Sequence, residues 1–213
     1  MNLSNDQLRT RLIPFQADLS PEQLVQVRQF LALLELWNRK ISLVSASDIS
    51  QLVERHVGES IFGVSAVPIR HGRLADVGTG AGFPGIPLKI AQPGLELTLI
   101  ESNQRKSAFL SEAIRTLQLT SCNVITSRYE DIDSEVKFDF ITSRALGNYE
   151  GLLNWAATRL SDRGKIVFWL GTEDAIRLSK ISKWRWFDQI SIPNSNLRVL
   201  LIGSPESHSG SIQ

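Results

Sequence analysis

The chain has 213 residues, of which 42% are hydrophobic and 21% are charged, and its formal net charge is +1. This balance is typical of an ordinary globular protein and excludes an extended disordered chain. It does not favour a strongly basic nucleic-acid-binding protein, although it leaves room for a local basic patch. The apolar runs are too short to span a bilayer, the first twenty residues carry no secretory signal, and a single cysteine cannot form an internal disulfide. We therefore expect a cytoplasmic protein with no membrane association.

Two helix signals lie in the first seventy residues. Ser20 and Gln23 have the spacing of a capping box, and from Leu24 onward apolar residues recur at helical spacing. Asp48 gives a second start signal ahead of an amphipathic segment. These patterns predict an N-terminal helical extension over residues 1–70.

From residue 71 onward, strand and helix patterns alternate. The predicted strands are Arg73–Val77, Glu96–Glu101, Asn123–Ser127, Phe138–Thr142 and Gly164–Leu170, and the predicted helices are Ile86–Ala91, Asn103–Leu117 and Tyr149–Leu160. This alternation indicates an α/β fold, with a mostly parallel sheet and helices on both faces. Trp186–Ile192 and Leu197–Gly203 predict an antiparallel pair at the sheet edge. We expect one domain over residues 71–204 and a disordered polar tail over residues 205–213.

A glycine-rich stretch follows the first predicted strand. Leu74–Pro87 reads LADVGTGAGFPGIP, and a plain tight turn would need one glycine rather than four. Ligands of open parallel sheets bind beyond the carboxyl ends of the strands, where glycines let a ligand approach the main chain. Gly80–Gly85 matches the dinucleotide pattern G-x-G-x-x-G, whereas Asp76–Gly82 resembles the first motif of the Rossmann-like S-adenosylmethionine-dependent methyltransferases.

The chemistry of the two ligands favours S-adenosylmethionine. Its sulfonium is a cation and suits the nearby Asp76, whereas Pro84 and Pro87 remove backbone donors that a pyrophosphate would need. Glu101, at the end of the second predicted strand, is the expected acceptor for the two ribose hydroxyls. An NAD-binding oxidoreductase is the alternative, on the strength of the G-x-G-x-x-G match alone.

The residues do not identify a catalytic group or a metal site. Cys122 lies in a predicted strand region rather than after a proline, which does not favour cytosine methylation at carbon 5. Thr142–Ala145 stands where enzymes that methylate amino groups often carry an Asn/Asp-Pro-Pro-aromatic motif. The remaining acceptors include a ring nitrogen such as guanine N7, which has a free lone pair and needs orientation rather than a base.

Six segments occur together in one order: WNRKISL, ERHVGES, DVGTGAGFPGIPL, TLIESNQRKSAFL, SRYED and FDFITSRA. From about Leu24 to about Leu170 the chain therefore resembles the ribosomal RNA small subunit methyltransferase G family, the 16S rRNA guanine-N7 methyltransferases, also called glucose-inhibited division protein B. The resemblance implies a class I methyltransferase fold with S-adenosyl-L-methionine as cofactor. It also implies methylation of guanine N7 in 16S ribosomal RNA, either as free RNA or within the small ribosomal subunit. A non-catalytic ribosome-assembly factor with the same fold is a further alternative.

The resemblance also implies roles for individual residues. The implied cofactor-binding residues are Gly78, Phe83, Tyr129, Glu130 and Arg144, with Tyr129 and Glu130 beside the adenine and Arg144 near the methyl group. Gly80 of the glycine loop and Glu101 complete the expected cofactor site. The chain departs from the family pattern at Ser42, where other members have asparagine, and at Glu59, which replaces an aspartate.

Cationic residues provide the expected RNA contacts. We expect Arg144, Arg105 and Lys106 to contact RNA, and Trp184 with Trp186, interleaved with cations, is a candidate platform for stacking bases. His56 lies on the apolar side of its segment and fits an interface residue better than a catalytic one. We expect the protein to be a monomer.

Overall fold

The computed structural model describes residues 3–45, 51–132, 135–144 and 147–206. Its strands are β1 Gly72–Val77, β2 Leu95–Ile100, β3 Cys122–Ile125, β4 Phe138–Arg144, β5 Leu160–Gly171, β6 Trp184–Trp186, β7 Ile190–Ser191 and β8 Arg198–Pro205. Its helices are α1 Asn5–Leu12, α2 Pro21–Asn38, α3 Glu59–Ala66, α4 Gly85–Ala91, α5 Gln104–Thr116, α6 Tyr149–Arg159 and α7 Thr172–Leu178. A π-helical segment, Gln51–Gly58, leads directly into α3, and short 3-10 turns lie at Ile13–Phe15 and Tyr129–Asp131.

The strands within the described residues form one mixed sheet. Their order is β3-β2-β1-β4-β5-β8-β6, and β7 also pairs with β8. Pairs among β1 to β5 are parallel, whereas β8 is antiparallel to β5, β6 and β7. This arrangement confirms the predicted α/β fold with its antiparallel edge. Because the chain runs outward from β1 to β3 and then returns to β4, the carboxyl ends of β1 and β4 lie side by side at a switch point, where such folds bind ligands.

Apolar clusters cover both faces of the sheet. One contains the buried residues of α1 to α5, and the other contains those of α6 and α7. The first cluster runs without interruption from Leu8 in the extension to Ile202 in β8, so the N-terminal helices pack directly on the sheet. The division into residues 1–70 and 71–204 stays a prediction.

Helix starts follow the local sequence signals. Ser20 Oγ accepts a hydrogen bond from the Gln23 main-chain N–H, and Gln23 Oε1 accepts one from the Ser20 N–H, which confirms the capping box of α2. The same reciprocal bonds join Ser4 and Gln7 at α1, a helix that was not predicted. The predicted start at Asp48 lies outside the described residues.

The largest shifts of element boundaries occur in the last third of the chain. Strand β5 begins at Leu160 rather than Gly164, because Leu160 pairs with Phe138 across an irregular register. The predicted strand Trp186–Ile192 is divided into β6 and β7, which both pair with β8. Strand β8 extends to Pro205, and residues 207–213 of the predicted disordered tail lie outside the described residues.

Candidate active site

The loop between β1 and α4 combines three glycines with left-handed backbone angles. Gly78, Gly80 and Gly82 have φ values of +67°, +57° and +86°. A Cβ on Gly82 would lie 2.5 Å from Cδ1 of Ile86, whereas a Cβ on Gly80 would have the Gly78 carbonyl oxygen, 3.9 Å away, as its nearest neighbour. Gly82 is therefore required by packing, and Gly80 borders open space that a ligand can enter.

Hydrogen bonds to the side chain of Asp76, at the end of β1, fix the shape of this loop. Its side chain is fully buried, and its carboxylate accepts hydrogen bonds from the Thr79 hydroxyl (2.5 Å), the Gly85 N–H (2.8 Å) and the Thr142 hydroxyl (3.1 Å). Burial raises the pKa of Asp76 to about 6, although these hydrogen bonds favour the charged form. The carboxylate of Asp76 is therefore committed to protein donors and shapes the loop, and its attraction for a nearby sulfonium stays a prediction.

Glu101 connects the end of β2 to the glycine loop. Its Oε2 accepts a hydrogen bond from the Gly80 N–H at 2.9 Å, and its Oε1 accepts one from the Asn103 N–H at 2.8 Å. The residue is 8% exposed, and each carboxylate oxygen keeps a lone pair for another donor. Glu101 therefore lies next to the glycine loop and can still accept hydrogen bonds. Its role as the acceptor for the ribose hydroxyls stays a prediction.

Phe83 belongs to the loop by its main chain and to the core by its ring. The ring is 5% exposed and packs against Phe30 and His56, with centroids 5.4 Å and 5.0 Å away. Burial, reinforced by the charge of Arg144, lowers the pKa of His56 to about 3. His56 is therefore neutral and packs between the π-helical segment and the glycine loop. This agrees with its prediction as an interface residue.

Tyr129 and Glu130 lie in the 3-10 turn that follows β3. Tyr129 is 6% exposed and packs edge-on against Trp155, with ring centroids 5.6 Å apart. Burial raises the pKa of Tyr129 to about 12. Its ring therefore belongs to the core, and the groups left for a ligand at this turn are the main chain and the exposed side chains of Glu130 and Asp131.

Arg144 ends β4, beside the glycine loop. Its Nη2 donates to Oε2 of Glu59 at 3.1 Å and to the carbonyl oxygen of Arg55 at 2.9 Å. Burial lowers the pKa of Arg144, and the charge of Glu59 opposes that shift. Its Nη1 is buried and has no hydrogen-bond partner in the part of the chain that the structure describes. The neighbouring Ala145 of the predicted motif lies outside that part.

The predicted RNA-contacting residues fall into two groups. Arg105 and Lys106 open α5 close to Glu101, and their N–H groups donate to the Asn103 side chain, so both lie at the ligand edge of the sheet. Trp184 and Trp186 lie instead in β6, at the antiparallel edge of the sheet, and stack on each other with centroids 5.8 Å apart. Trp184 is 5% exposed, so its ring is not available to stack on an RNA base, contrary to the candidate role.

Comparison with known proteins assigns the chain to a family. Residues 23–195 match GidB, described as rRNA small subunit methyltransferase G. The chain belongs to this family. The ribosomal RNA small subunit methyltransferase G of Xanthomonas euvesicatoria pv. vesicatoria is 39% identical over 139 residues, which are 65% of each chain. The protein of that name from Syntrophus aciditrophicus is 35% identical over 158 residues, 72% of this chain and 66% of that protein. The match thus spans about 65% of the length of the first of these relatives.

Solved structures support the fold. The ribosomal protein L11 methylase from Lactobacillus delbrueckii subsp. bulgaricus superposes with a TM-score of 0.58 at 16% identity, covering 71% of this chain and 79% of that one. The glycopeptide N-methyltransferase MtfA complexed with S-adenosyl-L-methionine has a TM-score of 0.59 at 10% identity, covering 71% and 94%. At this identity the likeness shows a common methyltransferase fold.

The structure adds residues to the site that sequence reasoning missed. Thr142 bonds to Asp76, and the Ser143 hydroxyl donates to the Val77 carbonyl oxygen at 2.9 Å, so β4 is fixed to β1 at the ligand edge. Both lie in Thr142–Ala145, where the sequence shows the absence of a Pro-Pro motif but not the partners of these hydroxyls. Arg198 was missed because its partner, Glu59, is distant in sequence.

Cavity volume does not locate this site. A cavity of about 500 Å³ lies near the amino-terminal ends of the strands, where Arg73, Glu96 and Ser121 contribute to its walls. The glycine loop lies at the opposite, carboxyl edge, and we identify the site by its loop geometry. Among the described residues, no cluster of His, Cys, Asp and Glu could hold a metal ion, and none of the helices could cross a bilayer.

Proposed function

We propose that this chain is an S-adenosylmethionine-dependent methyltransferase that methylates N7 of a guanine in 16S ribosomal RNA. The observation that carries the proposal is the bond from Gly80 N–H to Glu101, which joins a glycine loop to a carboxylate at the switch point of the sheet. Family membership and the names of the relatives supply the substrate.

The residues present fit the cofactor. Glu101 would accept the ribose hydroxyls, the main chain of Gly78 and Gly80 would border the amino-acid end, and the turn at Tyr129–Asp131 would border the adenine. When bound, the cofactor supplies a methyl group activated by a sulfonium. The protein then needs to orient the guanine, because N7 carries a lone pair and no proton has to be removed.

Two hydrogen bonds and a proline at the start of α4 argue against the NAD-binding alternative. A pyrophosphate needs free N–H groups at the start of a helix. At the start of α4, the Gly85 N–H donates to Asp76 at 2.8 Å and the Ile86 N–H to the Gly82 carbonyl oxygen at 2.8 Å. Pro87 has no N–H. The first three positions of α4 therefore offer no free donor to a dinucleotide.

Calorimetry separates the two cofactors. We expect S-adenosylmethionine to bind and to raise the melting temperature, and NAD to do neither. Glu101→Gln should weaken S-adenosylmethionine binding at least 10-fold, since an amide cannot accept from both ribose hydroxyls while facing the Gly80 N–H. Glu96→Gln is the matched control, because Glu96 is exposed on the same strand. Binding of NAD instead, or equal affinities for both variants, would contradict the cofactor site.

Methyl transfer decides between an enzyme and an assembly factor. Labelled S-adenosylmethionine is incubated with the protein and either deproteinised 16S RNA or small ribosomal subunits, and modified guanines are mapped by cleavage. We expect label at one guanine, and RNA affinity that falls steeply with added salt. Cofactor binding without transfer to either substrate would favour a non-catalytic assembly factor. We also propose that the protein acts as a monomer in the cytoplasm.

A further inference from the structure

A single buried carboxylate connects the N-terminal extension to the ligand edge of the sheet. Glu59, the first residue of α3, is 2% exposed. Its Oε2 accepts from Arg144 at 3.1 Å, and its Oε1 accepts from Arg198 Nε at 2.8 Å and Nη2 at 2.5 Å. Its carbonyl oxygen accepts from the indole N–H of Trp169 at 2.6 Å. Both carboxylate oxygens and the main chain of Glu59 are thus held by β4, β5 and β8.

Glu59 balances several positive charges. The pKa of Arg144 is lowered first by burial and then by the charges of Arg198 and Arg55, while Glu59 raises it. A buried ion that loses its partner becomes strongly unfavourable in its position. Without the charge of Glu59, Arg144 and Arg198 would repel each other, and Arg144 would keep only the Arg55 carbonyl oxygen as an acceptor.

The two terminal nitrogens of the Arg144 guanidinium differ in their hydrogen bonding. Nη2 makes both of its bonds to the protein, whereas Nη1 is buried without a partner among the described residues. A desolvated donor of this kind is unfavourable until an acceptor reaches it. Since Thr142 and Ser143, just before Arg144, bond to β1 beneath the glycine loop, that acceptor would arrive with a bound ligand.

We infer that Glu59 is a positioning residue for methyl transfer: it holds Nη2 of Arg144 so that Nη1 is presented, in a fixed orientation, to an acceptor on the bound nucleotide or cofactor. The inference rests on the proposed function, because it needs a reaction at this edge of the sheet. Glu59 itself touches neither ligand and acts through Arg144.

A double-mutant cycle tests this inference. Glu59→Gln keeps the shape of the side chain but removes its charge, and Arg144→Gln removes the guanidinium and its charge. We expect each to lower kcat/KM for methyl transfer about 10- to 100-fold, the range that misplacement by about 1 Å produces. We expect the double variant to be no worse than Arg144→Gln alone, because Glu59 has no further effect once Arg144 is absent. Glu96→Gln, an exposed Glu→Gln change, is the control and should keep wild-type kcat and KM.

A variant that keeps the carboxylate distinguishes a positioning role of Glu59 from a contribution to the stability of the fold alone. Glu59→Asp retains the carboxylate and should recover activity to within about 10-fold of wild type. All rates are measured below the melting transition of each variant, with the folded fraction checked by circular dichroism. If Glu59→Gln does not fold, the cycle is run in an Arg198→Gln background, which removes one of the two cations that Glu59 pairs with, and it is read by the same criterion.

Two results would overturn the inference. One is wild-type kcat/KM in Glu59→Gln, and the other is a double variant whose loss equals the product of the two single losses, since independent effects multiply. Failure of the proposed function has a different signature, because wild-type protein itself would then transfer no methyl group to RNA.

Discussion

Gly80 and Gly82 share a left-handed backbone but differ in what surrounds them, and this difference gives a test of the ligand loop. Either residue changed to alanine is strained by about 1–2 kcal/mol, because φ is positive. Gly82→Ala must also displace Ile86, which adds about 1–3 kcal/mol, whereas the added methyl of Gly80→Ala meets open space. We therefore expect Gly82→Ala to lower the free energy of unfolding more than Gly80→Ala does. For the same loss of stability, Gly80→Ala should weaken S-adenosylmethionine binding more than Gly82→Ala does. Urea denaturation and calorimetry measure the two effects, and the reverse ranking would contradict a ligand at Gly80.

Asp76 gives the loop a pH dependence with a defined sign. Its pKa is about 6 in the folded protein, above the ordinary value of 3.8, so the unfolded chain releases this proton at lower pH than the folded one. The contribution of Asp76 to stability is thus fully present below about pH 4 and is lost as the pH rises to 6, by roughly 3 kcal/mol at 1.36 kcal/mol per pKa unit. His56 acts in the opposite direction, because a pKa of about 3 means that its contribution is lost as the pH falls below 6.5.

Comparison with Asp76→Asn isolates the contribution of Asp76 from that of His56. The amide can replace the carboxylate, since the Thr142 hydroxyl can turn its hydrogen toward the Ala75 carbonyl oxygen and accept from the new N–H. We expect the stability of the wild type relative to Asp76→Asn to decrease between pH 4 and pH 6 in urea titrations. A difference that is constant over this range would show that Asp76 has an ordinary pKa in the folded state.

At the scale of elements, a glycine lets the π-helical segment pack closely against Phe15 within the extension. A Cβ on Gly58 would lie 2.4 Å from the ring of Phe15, which is 1% exposed and cannot move into solvent without leaving the core. Gly58→Ala should therefore lower the free energy of unfolding by about 1–3 kcal/mol, as overpacking usually does. Gly94→Ala is the control, since its nearest neighbour would be the Arg70 carbonyl oxygen at 3.6 Å. Thermal melts compare the two, and equal melting temperatures would show that Phe15 adapts freely.

Helices and strands with local sequence signals were predictable from the sequence. Contacts between side chains that are distant in sequence were not. The capping box at Ser20 and the strand–helix alternation depend on residues a few positions apart, so they give α2 and the sheet. The same signature stands at Ser4, so α1 also has a local signal. In contrast, the donors to Asp76 include Thr142, which is 66 residues away, and Glu59 meets Arg144 across 85 residues. Only the assembled fold shows that one carboxylate shapes the loop and that the other holds an arginine.

On the scale of the whole molecule, the continuous apolar cluster predicts that the extension and the sheet unfold together. Leu31 in α2 is fully buried in the cluster that reaches β8, and Phe30 and Trp37 of the same helix pack on Phe109 of α5. Leu31→Ala should lower the free energy of unfolding by about 2–5 kcal/mol. If unfolding is cooperative, this loss should shift one transition that all probes share.

The tryptophans make this measurable, because three of the five, Trp155, Trp184 and Trp186, pack in the cluster of α6 and α7 and report on the sheet rather than on the extension. In urea, the midpoint from tryptophan fluorescence should fall in Leu31→Ala by as much as the midpoint from far-ultraviolet circular dichroism, which also reports on the N-terminal helices. Coincident midpoints mean that a substitution in the extension destabilises the sheet that carries the site. A fluorescence midpoint equal to that of the wild type, with an earlier transition in circular dichroism alone, would instead identify the extension as a unit that unfolds separately.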